Sequence, residues 1–417
     1  MQKYMIVGGN RLQGKIRVSG SKNASLPILA ASLLGSGESV IHDVPNLKDV
    51  SVMMEVLQCL GARVKRDGYT VSVDTKSIDV FEVSEELMRK MRASNLVLGP
   101  MLARFKKVTI SHPGGCNIGS RPMNLHLKGL QSMGASIREK YGFITAESQA
   151  LQGAEIYLDM PSVGATENLM MAAVLARGTT MIKNAAKEPE IVDLQNFLNR
   201  MGADIKGAGT DVIKIKGVDS LGTAEHTVIP DRIEAGTHMI AAAITGGDVV
   251  VINVIPEHFE ALTAKLREAG VEVTVGEDHV RVRGSPPYSS VDIRTLPYPG
   301  FPTDMQPQFM SLMAMAQGTS IVTETIFENR FKHISELRRL GANIKVEGQT
   351  AIIKGVPKLS GAVVEASDLR AGAALILAAL AAEGGTVIEN IEHIDRGYDR
   401  LENKYTSMGA RIIRVHS

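Results

Sequence analysis

The chain has 417 residues, enough for two or three domains, and 44% of them are hydrophobic, which suffices for substantial cores. Its 46 Lys and Arg residues balance 45 Asp and Glu residues, and aromatic residues make up only 4%. This composition disfavours a general binder of nucleic acid or of anionic membranes. Two cysteines exclude a disulfide framework, and the longest apolar run, 371–382, is shorter than the roughly 20 residues that span a bilayer. Because the start also lacks a secretory signal pattern, we expect a cytoplasmic protein.

One short phrase, a hydrophobic residue followed by Gly, then Ala or Val, any residue, and Val or Ile, occurs six times along the chain. Its glycines are separated by 73, 68, 68, 71 and 68 residues, a longer period than that of common solenoid repeats. Each copy predicts a strand, an apolar helix, a second strand, an amphipathic helix that ends at the glycine, and a pair of strands. The glycines are Gly61, Gly134, Gly202, Gly270, Gly341 and Gly409.

The first helix of each copy is apolar nearly all the way round, so we expect the helices inside and the sheets outside. Six such units predict two lobes of three, with a junction at the Pro-containing stretch near residue 230. The segment LQGKIRVSG at residues 12–20 resembles the strand that would complete a later unit. We therefore predict one domain at 20–229 and a second at 1–19 plus 230–417, joined by two crossovers that would form a hinged cleft.

The first motif in chain order is GxxxxGK at residues 9–15, which is followed by Ile16 where a P-loop has Ser or Thr. A phosphate-binding loop of that kind is therefore disfavoured. The ten histidines are scattered, and a lone histidine on an apolar helix, such as His238, is typical of a core residue. The sequence contains no metal-binding motif, and we predict no metal site.

Lys22 follows a Gly-Ser turn directly before an apolar helix, where free backbone N–H groups favour an anion. The alternative is an ordinary N-cap with a solvated lysine. Arg92 and Arg370 stand at the start of apolar helices in other units. Three cations in equivalent positions indicate a shared anion pocket.

The stretch 111–122 replaces a compact junction with a longer, Gly-rich segment that contains Cys116 and Arg121. We expect an exposed, mobile loop. An exposed cysteine beside glycines and an arginine fits a reactive thiol or a proton donor. The alternative is an incidental surface cysteine.

Four prolines stiffen PYPGFPTDMQPQFM, which presents Asp304 just before a helix. Asp304 could cap that helix, or it could take a proton from a substrate hydroxyl. Arg330 and Arg396 fit either additional anion contacts or surface ion pairs.

Together these segments resemble the enolpyruvyl transferases over essentially the whole chain. The matching stretches, in family order, are VSGSKNASLPILAASLL, GGCNIGSRPMNLHLKGL, MPSVGATENLMMAA, IPDRIEAGTH, PTDMQPQFMSLMA, ETIFENRFKHISELRRLGANI, DLRAGAALILAAL and HIDRGYDR. The resemblance implies an α/β fold of two inside-out α/β barrel domains. Each would contain three repeats of about 70 residues around buried helices, with the active site in the cleft between the domains.

The resemblance also implies a reaction, the transfer of the enolpyruvyl group of phosphoenolpyruvate to the 3'-hydroxyl of UDP-N-acetylglucosamine with release of phosphate. This is the first committed step of bacterial peptidoglycan synthesis, and it needs no cofactor. Cys116 would protonate the methylene carbon, and Asp304 would be the base for the hydroxyl. In that family the cysteine also attacks phosphoenolpyruvate covalently and is alkylated by fosfomycin, and its loop closes as a lid.

By motif position, the resemblance assigns two further sets of contacts. Those for phosphoenolpyruvate are Lys22, Asn23, Arg121, Arg370 and Arg396, with Lys22 and Arg396 also catalytic. Those for UDP-N-acetylglucosamine are Arg92, Arg121, Pro122, Met123, Asn124, Leu125, Ser162, Val163, Gly164, Asp304 and Ile326. Protein partners are not predicted.

One position departs from the family pattern, since Asn124 stands where an acidic residue is usual. We expect weaker binding of the sugar nucleotide as a result. Three alternatives remain. The first is the sister reaction on shikimate 3-phosphate, whose enzymes lack the lid cysteine. The second is an ATP-dependent RNA 3'-phosphate cyclase, which the lack of a basic, aromatic surface disfavours, and the third is a catalytically idle paralogue that binds the sugar nucleotide.

Overall fold

The computed structural model of the chain describes residues 2–114, 118–119 and 122–416. These residues divide into two compact units: unit 1 contains 2–19, 118–119 and 230–416, and unit 2 contains 20–114 and 122–229. The chain thus passes from unit 1 to unit 2 after Ser19 and returns after Ile229. The cleft expected between the domains stays a prediction.

The described residues contain thirteen α-helices, several of them extended by a turn of 3-10 helix. They are α1 (Lys22–Ala31), α2 (Lys48–Cys59), α3 (Glu85–Lys90), α4 (Leu98–Phe105), α5 (Asn124–Ser132), α6 (Val163–Ala173), α7 (Pro189–Arg200), α8 (Arg232–Ile244), α9 (Glu260–Glu268), α10 (Gln306–Met313), α11 (Ile334–Arg339), α12 (Leu369–Ala381) and α13 (Leu401–Thr406).

The same residues contain twenty-three strands. They are β1 (Gln2–Val7), β2 (Gln13–Arg17), β3 (Glu38–His42), β4 (Arg63–Asp67), β5 (Thr70–Asp74), β6 (Lys107–Ser111), β7 (Ser136–Lys140), β8 (Phe143–Glu147), β9 (Glu155–Tyr157), β10 (Thr179–Lys183), β11 (Asp204–Lys206), β12 (Val212–Lys216), β13 (Glu225–Thr227), β14 (Asp248–Ile252), β15 (Glu272–Val275), β16 (His279–Arg283), β17 (Ile293–Arg294), β18 (Thr319–Thr323), β19 (Asn343–Glu347), β20 (Thr350–Lys354), β21 (Val363–Glu365), β22 (Gly385–Glu389) and β23 (Arg411–His416).

The predicted repeat is confirmed in its elements with one exception: among the described residues the second copy has no strand before α4, only an isolated parallel bridge between Glu82 and Thr109, so its sheet has three strands. The apolar helices α1, α4, α6, α8, α10 and α12 are buried along most of their length, whereas most of the strands alternate buried and exposed residues. Helices therefore fill the interior of each unit, and one face of each sheet covers them. The six repeated glycines all have φ between +88° and +106°, the left-handed conformation in which a glycine commonly ends a helix.

The described strands form six separate sheets, three in each unit, rather than one closed barrel. In unit 2 the orders are β13-β3-β5-β4, β6-β8-β7 and β9-β10-β12-β11. In unit 1 they are β2-β14-β16-β15, β17-β18-β20-β19 and β21-β22-β1-β23. Every four-stranded sheet joins one parallel pair to two antiparallel pairs.

Two strands pair away from the helix that follows them in the chain. In a regular repeat the strand before the buried helix pairs in parallel with the strand after it, as β9 does with β10 around α6. By contrast, β2 precedes α1 but pairs with β14, and β13 precedes α8 but pairs with β3. As predicted from LQGKIRVSG, the early strand β2 completes a later sheet.

Two buried glutamates lie near the start of buried helices, one in each unit. Glu234 in α8 accepts hydrogen bonds from the backbone N–H of Ser19 at 2.9 Å and from the Lys404 ammonium, and it contacts His238 Nε2 at 3.2 Å. Burial opposes its charge, but Lys404 and His238 lower the pKa of Glu234 to about 2. Glu167 in α6 faces Glu190 and Glu188, so burial and these carboxylates raise its pKa well above the ordinary value.

Candidate active site

Lys22 is the first residue of α1, and its side chain is mostly buried. Its Nζ lies 3.4 Å from Oδ2 of Asp49, and the two side chains are only 13% and 4% exposed. Ser21 caps the helix, since its hydroxyl accepts from the Ala24 N–H at 3.3 Å. The helix start therefore has both an ordinary N-cap, Ser21, and a mostly buried cation, Lys22. Asn23 follows in the same turn and is half-buried.

Arg92 lies in unit 2 at the start of a 3-10 helix, Arg92–Val97, that leads into α4. Its charge acts on His126, a buried residue whose Nδ1 lies 3.0 Å from the Asn168 amide nitrogen. Burial first and Arg92 second lower the pKa of His126 to about 4. A neutral imidazole therefore lies at this position near pH 7.

The segment 162–164 lies beside the same histidine. A Cβ on Gly164 would come within 3.3 Å of His126 Cε1, so glycine allows the start of α6 to approach the imidazole closely. Ser162 caps α6 by accepting from Ala165 N–H at 3.4 Å, and Val163 is the first helical residue. The structure thus brings Arg92 and Gly164 to one histidine.

The described residues that follow the cysteine loop differ in exposure. Pro122 and Asn124 are exposed, and Leu125 is half-buried. Met123 is 4% exposed, and its sulfur accepts from the Asn95 amide at 3.0 Å. The Met123 side chain therefore packs inside unit 2. Cys116 and Arg121, both predicted site residues, lie outside the described residues.

Asp304 in unit 1 contacts two buried arginines through both of its carboxylate oxygens. Arg330 Nη2 donates to Oδ1 at 2.9 Å, and Arg370 donates to Oδ2 through Nε at 3.2 Å and Nη2 at 3.0 Å. The arginine side chains are 2% and 4% exposed, whereas that of Asp304 is 29% exposed. The carboxylate is therefore the accessible end of a buried cationic cluster.

This geometry corrects two of the alternatives left open by the sequence. Asp304 lies in the 3-10 helix Thr303–Met305 before α10, and neither helix receives a side-chain cap. The capping role is therefore wrong. Arg330 is buried against Asp304, so its interpretation as a surface ion pair is also wrong.

Arg370 is the second residue of α12, where its backbone N–H bonds to the capping Asp368 at 2.9 Å. Its Nη1 donates to the hydroxyl of buried Tyr398 at 3.2 Å. Burial alone would lower the pKa of Arg370, but the charge of Asp304, and then Tyr398, raise it above the ordinary value. Arg370 is therefore a permanent cation at this site.

Glu324 fixes the loop that contains Ile326. Its Oε1 accepts from the Ile326 N–H at 2.8 Å, and its Oε2 accepts from the Thr303 hydroxyl at 2.9 Å. One buried carboxylate thus ties the half-buried Ile326 to the helix of Asp304.

Arg396 is the last residue of the 3-10 helix Ile391–Arg396 and is half-buried. The preceding Asp395 accepts two hydrogen bonds from Arg414 in β23, at 2.6 and 2.9 Å. The segment is therefore anchored to the outer sheet through its neighbour.

The motifs did not single out Asp49, His126, Glu324 or Tyr398. Each lies inside or next to a segment with ordinary helix or strand patterning, and its partners come from distant elements. The available signals were a polar residue at a helix start for Asp49, and membership of stretches that match the family for His126, Glu324 and Tyr398.

Among residues 2–114, 118–119 and 122–416, no group of three or more acidic, histidine or cysteine side chains could hold a metal ion. Over the same ranges, no helix is both long and apolar enough to cross a membrane.

Comparison with known proteins assigns the chain to a family. The family model described as EPSP synthase (3-phosphoshikimate 1-carboxyvinyltransferase) matches residues 6–405. The enolpyruvyl transferase NikO from Streptomyces tendae superposes with a TM-score of 0.89 at 28% identity, covering 100% of this chain and 99% of that one.

Two curated relatives are more similar in sequence. UDP-N-acetylglucosamine 1-carboxyvinyltransferase 1 of Carboxydothermus hydrogenoformans is 59% identical over 416 residues, which are 100% of this chain and 99% of that protein. The protein of the same name from Symbiobacterium thermophilum is 60% identical over 420 residues, covering 99% and 95%. The chain therefore belongs to the enolpyruvyl transferase family and, within it, to the UDP-N-acetylglucosamine 1-carboxyvinyltransferases.

Proposed function

We propose that this chain transfers the enolpyruvyl group of phosphoenolpyruvate to the 3'-hydroxyl of UDP-N-acetylglucosamine and releases phosphate. The names of relatives at 59% and 60% identity support this activity. The observation in the molecule that carries it is Asp304, an accessible carboxylate held by buried Arg330 and Arg370. We further propose, from the family resemblance, that it is a cytoplasmic enzyme acting at the first committed step of peptidoglycan synthesis.

The first half of the mechanism is an addition. Lys22, Asn23, Arg121, Arg370 and Arg396 would hold the phosphate and carboxylate of phosphoenolpyruvate, because a small polyanion needs several fixed donors. Cys116 gives its proton to the methylene carbon, and C2 gains cationic character. The sugar hydroxyl then adds to C2 while Asp304 takes the hydroxyl proton, which gives a tetrahedral adduct.

The second half is an elimination. The adduct would lose a proton from the new methyl group to the Cys116 thiolate left by the addition, and phosphate would leave C2 with the proton taken up by Asp304. These losses restore the carbon–carbon double bond and both residues. Arginine and lysine around the departing phosphate stabilise its charge. The acid and base roles need no redox change, since one proton enters at carbon and one leaves.

On unit 2 the sugar nucleotide would lie beside His126. Two observations support this: the charge of Arg92 acts on His126, and Gly164 lies close to the neutral His126 ring. With Asp304, the proposed set is Arg92, Arg121, Pro122, Met123, Asn124, Leu125, Ser162, Val163, Gly164 and Ile326. Because the Met123 side chain is buried, Met123 would contribute through its backbone.

The test is phosphate release from phosphoenolpyruvate with UDP-N-acetylglucosamine or shikimate 3-phosphate as the acceptor. Release should require the sugar nucleotide and should collapse in Cys116→Ala. Cys59→Ala is the matched control, because Cys59 ends α2 and has no proposed role. Fosfomycin should inactivate the wild type and Cys59→Ala and should leave the Cys116→Ala protein unmodified, as read by intact mass.

Other results would select an alternative. Release with shikimate 3-phosphate would indicate the sister reaction. No release with either acceptor, together with retained binding of the sugar nucleotide, would indicate the idle paralogue.

A second experiment addresses Asn124. If the missing charge weakens nucleotide binding, Asn124→Asp should lower the KM for UDP-N-acetylglucosamine. An unchanged KM would show that this idea is wrong.

A further inference from the structure

A chain of buried hydrogen bonds leads from Arg370 into the core of unit 1. Arg370 Nη1 donates to the Tyr398 hydroxyl at 3.2 Å, and that hydroxyl lies 2.9 Å from Thr237 Oγ1. The Gln308 amide donates to both hydroxyls at 3.3 Å. Tyr398 is 2% exposed, and Thr237 and Gln308 are fully buried.

The donors and acceptors of this chain can be assigned. Tyr398 oxygen accepts from Arg370 and from Gln308, so its own proton points to Thr237. The Thr237 proton is used in turn, since its hydroxyl donates to the Ile233 carbonyl at 2.8 Å. The orientation of the Tyr398 hydroxyl is therefore set by the backbone of α8.

The Arg370 guanidinium is held at two edges. Nε and Nη2 face Asp304, while Nη1 faces Tyr398. A planar guanidinium with both edges bonded cannot rotate about its Cδ–Nε bond without breaking one set. The Tyr398 ring also lies 5.6 Å from the guanidinium carbon, close enough for a cation–π contact.

We propose that Tyr398 is a positioning residue, whose hydroxyl fixes the plane of the Arg370 guanidinium for phosphoenolpyruvate. This inference rests on the proposed function, in which Arg370 holds that substrate. Asp304 alone fixes one edge, and an anionic substrate would compete with Asp304 for it. The bond to Tyr398 keeps the guanidinium in place during that exchange, so less freedom is lost when the substrate binds.

The test compares two identical substitutions in the full-length enzyme. Tyr398→Phe removes the hydroxyl that accepts a hydrogen bond from Arg370 and keeps the aromatic ring. Tyr405→Phe is the matched control, because Tyr405 is also fully buried in unit 1 but its hydroxyl contacts His238, at 3.4 Å. The measurements are KM for each substrate, kcat and the midpoint of thermal unfolding.

We expect the KM for phosphoenolpyruvate to rise about tenfold in Tyr398→Phe, the change expected for one lost hydrogen bond to a charged group. The KM for UDP-N-acetylglucosamine should stay within about twofold, because the affected group holds the other substrate. Tyr405→Phe should leave both KM values unchanged at a similar unfolding midpoint.

A rise of both KM values together in Tyr398→Phe, or the same pattern in Tyr405→Phe, would overturn the proposal. Absence of turnover in the wild type would instead contradict the proposed function. If Tyr398→Phe does not fold, Thr237→Val and Thr237→Ser replace it. The valine removes the acceptor of the Tyr398 proton, and the serine keeps it. Only the valine should raise the KM for phosphoenolpyruvate.

Discussion

Two buried glutamates, Glu167 in unit 2 and Glu234 in unit 1, show how little the residue type alone decides. Both lie near the start of a buried helix, at 4% and 2% exposure. Lys404 and His238 keep Glu234 ionised despite its burial, whereas burial first, and then Glu190 and Glu188, favour the protonated form of Glu167. The ionised carboxylate of Glu234 thus stabilises unit 1, whereas ionisation of Glu167 at alkaline pH would destabilise unit 2.

The largest effect should come from breaking the favourable pair. Lys404→Met removes the ammonium from buried Glu234 and leaves its carboxylate with only the Ser19 N–H and His238, which costs up to about 3–5 kcal/mol. We expect a loss of that size in the free energy of unfolding, measured by urea titration at pH 7. Lys358→Met is the control, because its ion pair with Glu383 is exposed. Equal midpoints for the two variants would contradict a structural role for the Lys404 pair.

The opposite sign is expected for Glu167. Because its folded-state pKa is raised, its contribution to stability is present below the unfolded value of about 4.5 and is lost as the pH rises through the folded value. Glu167→Gln should therefore stabilise the protein by about 0.5–2 kcal/mol at pH 8, and by less at pH 5. An equal gain at both pH values would show that ionisation is not responsible.

The smallest effect on the free energy of unfolding concerns His126. Its folded pKa of about 4 lies below the ordinary value of 6.5, so the unfolded chain binds the proton more tightly and stability falls as the pH drops below 6.5. Between pH 7 and pH 5.5 this histidine should cost about 1 kcal/mol. His126→Gln should reduce the pH dependence by that amount, and parallel curves for the two proteins would contradict the assignment.

The repeat was predictable because it depends on local pattern. Glycines such as Gly61 and Gly409 mark helix ends, because glycine readily adopts the left-handed conformation found there. The apolar helices are predicted to be buried because they have no polar face. The placement of β2 was also predictable, since its alternation matched a strand missing from a later unit.

The partners inside the site were not predictable, because they come from separate elements. Asp304 meets Arg330 across 26 positions and Arg370 across 66. No spacing rule relates a proline-rich loop to the second residue of a helix that far along the chain. For the same reason the sequence left Arg330 open as a surface ion pair and did not identify Asp49 as the partner of Lys22.

The pairing of β1 has a consequence for the order of events during synthesis on the ribosome. Gln2 in β1 lies opposite His416 in β23, which is 414 positions later. At roughly 5–20 residues per second, these partners leave the ribosome on the order of 20–80 s apart. Unit 2, which is nearly contiguous in the chain, can close during that time. The strand β2 must wait for β14, which follows unit 2 directly, whereas β1 must wait for β22 and β23 at the end of the chain. The first strand made, β1, is therefore among the last to find its sheet.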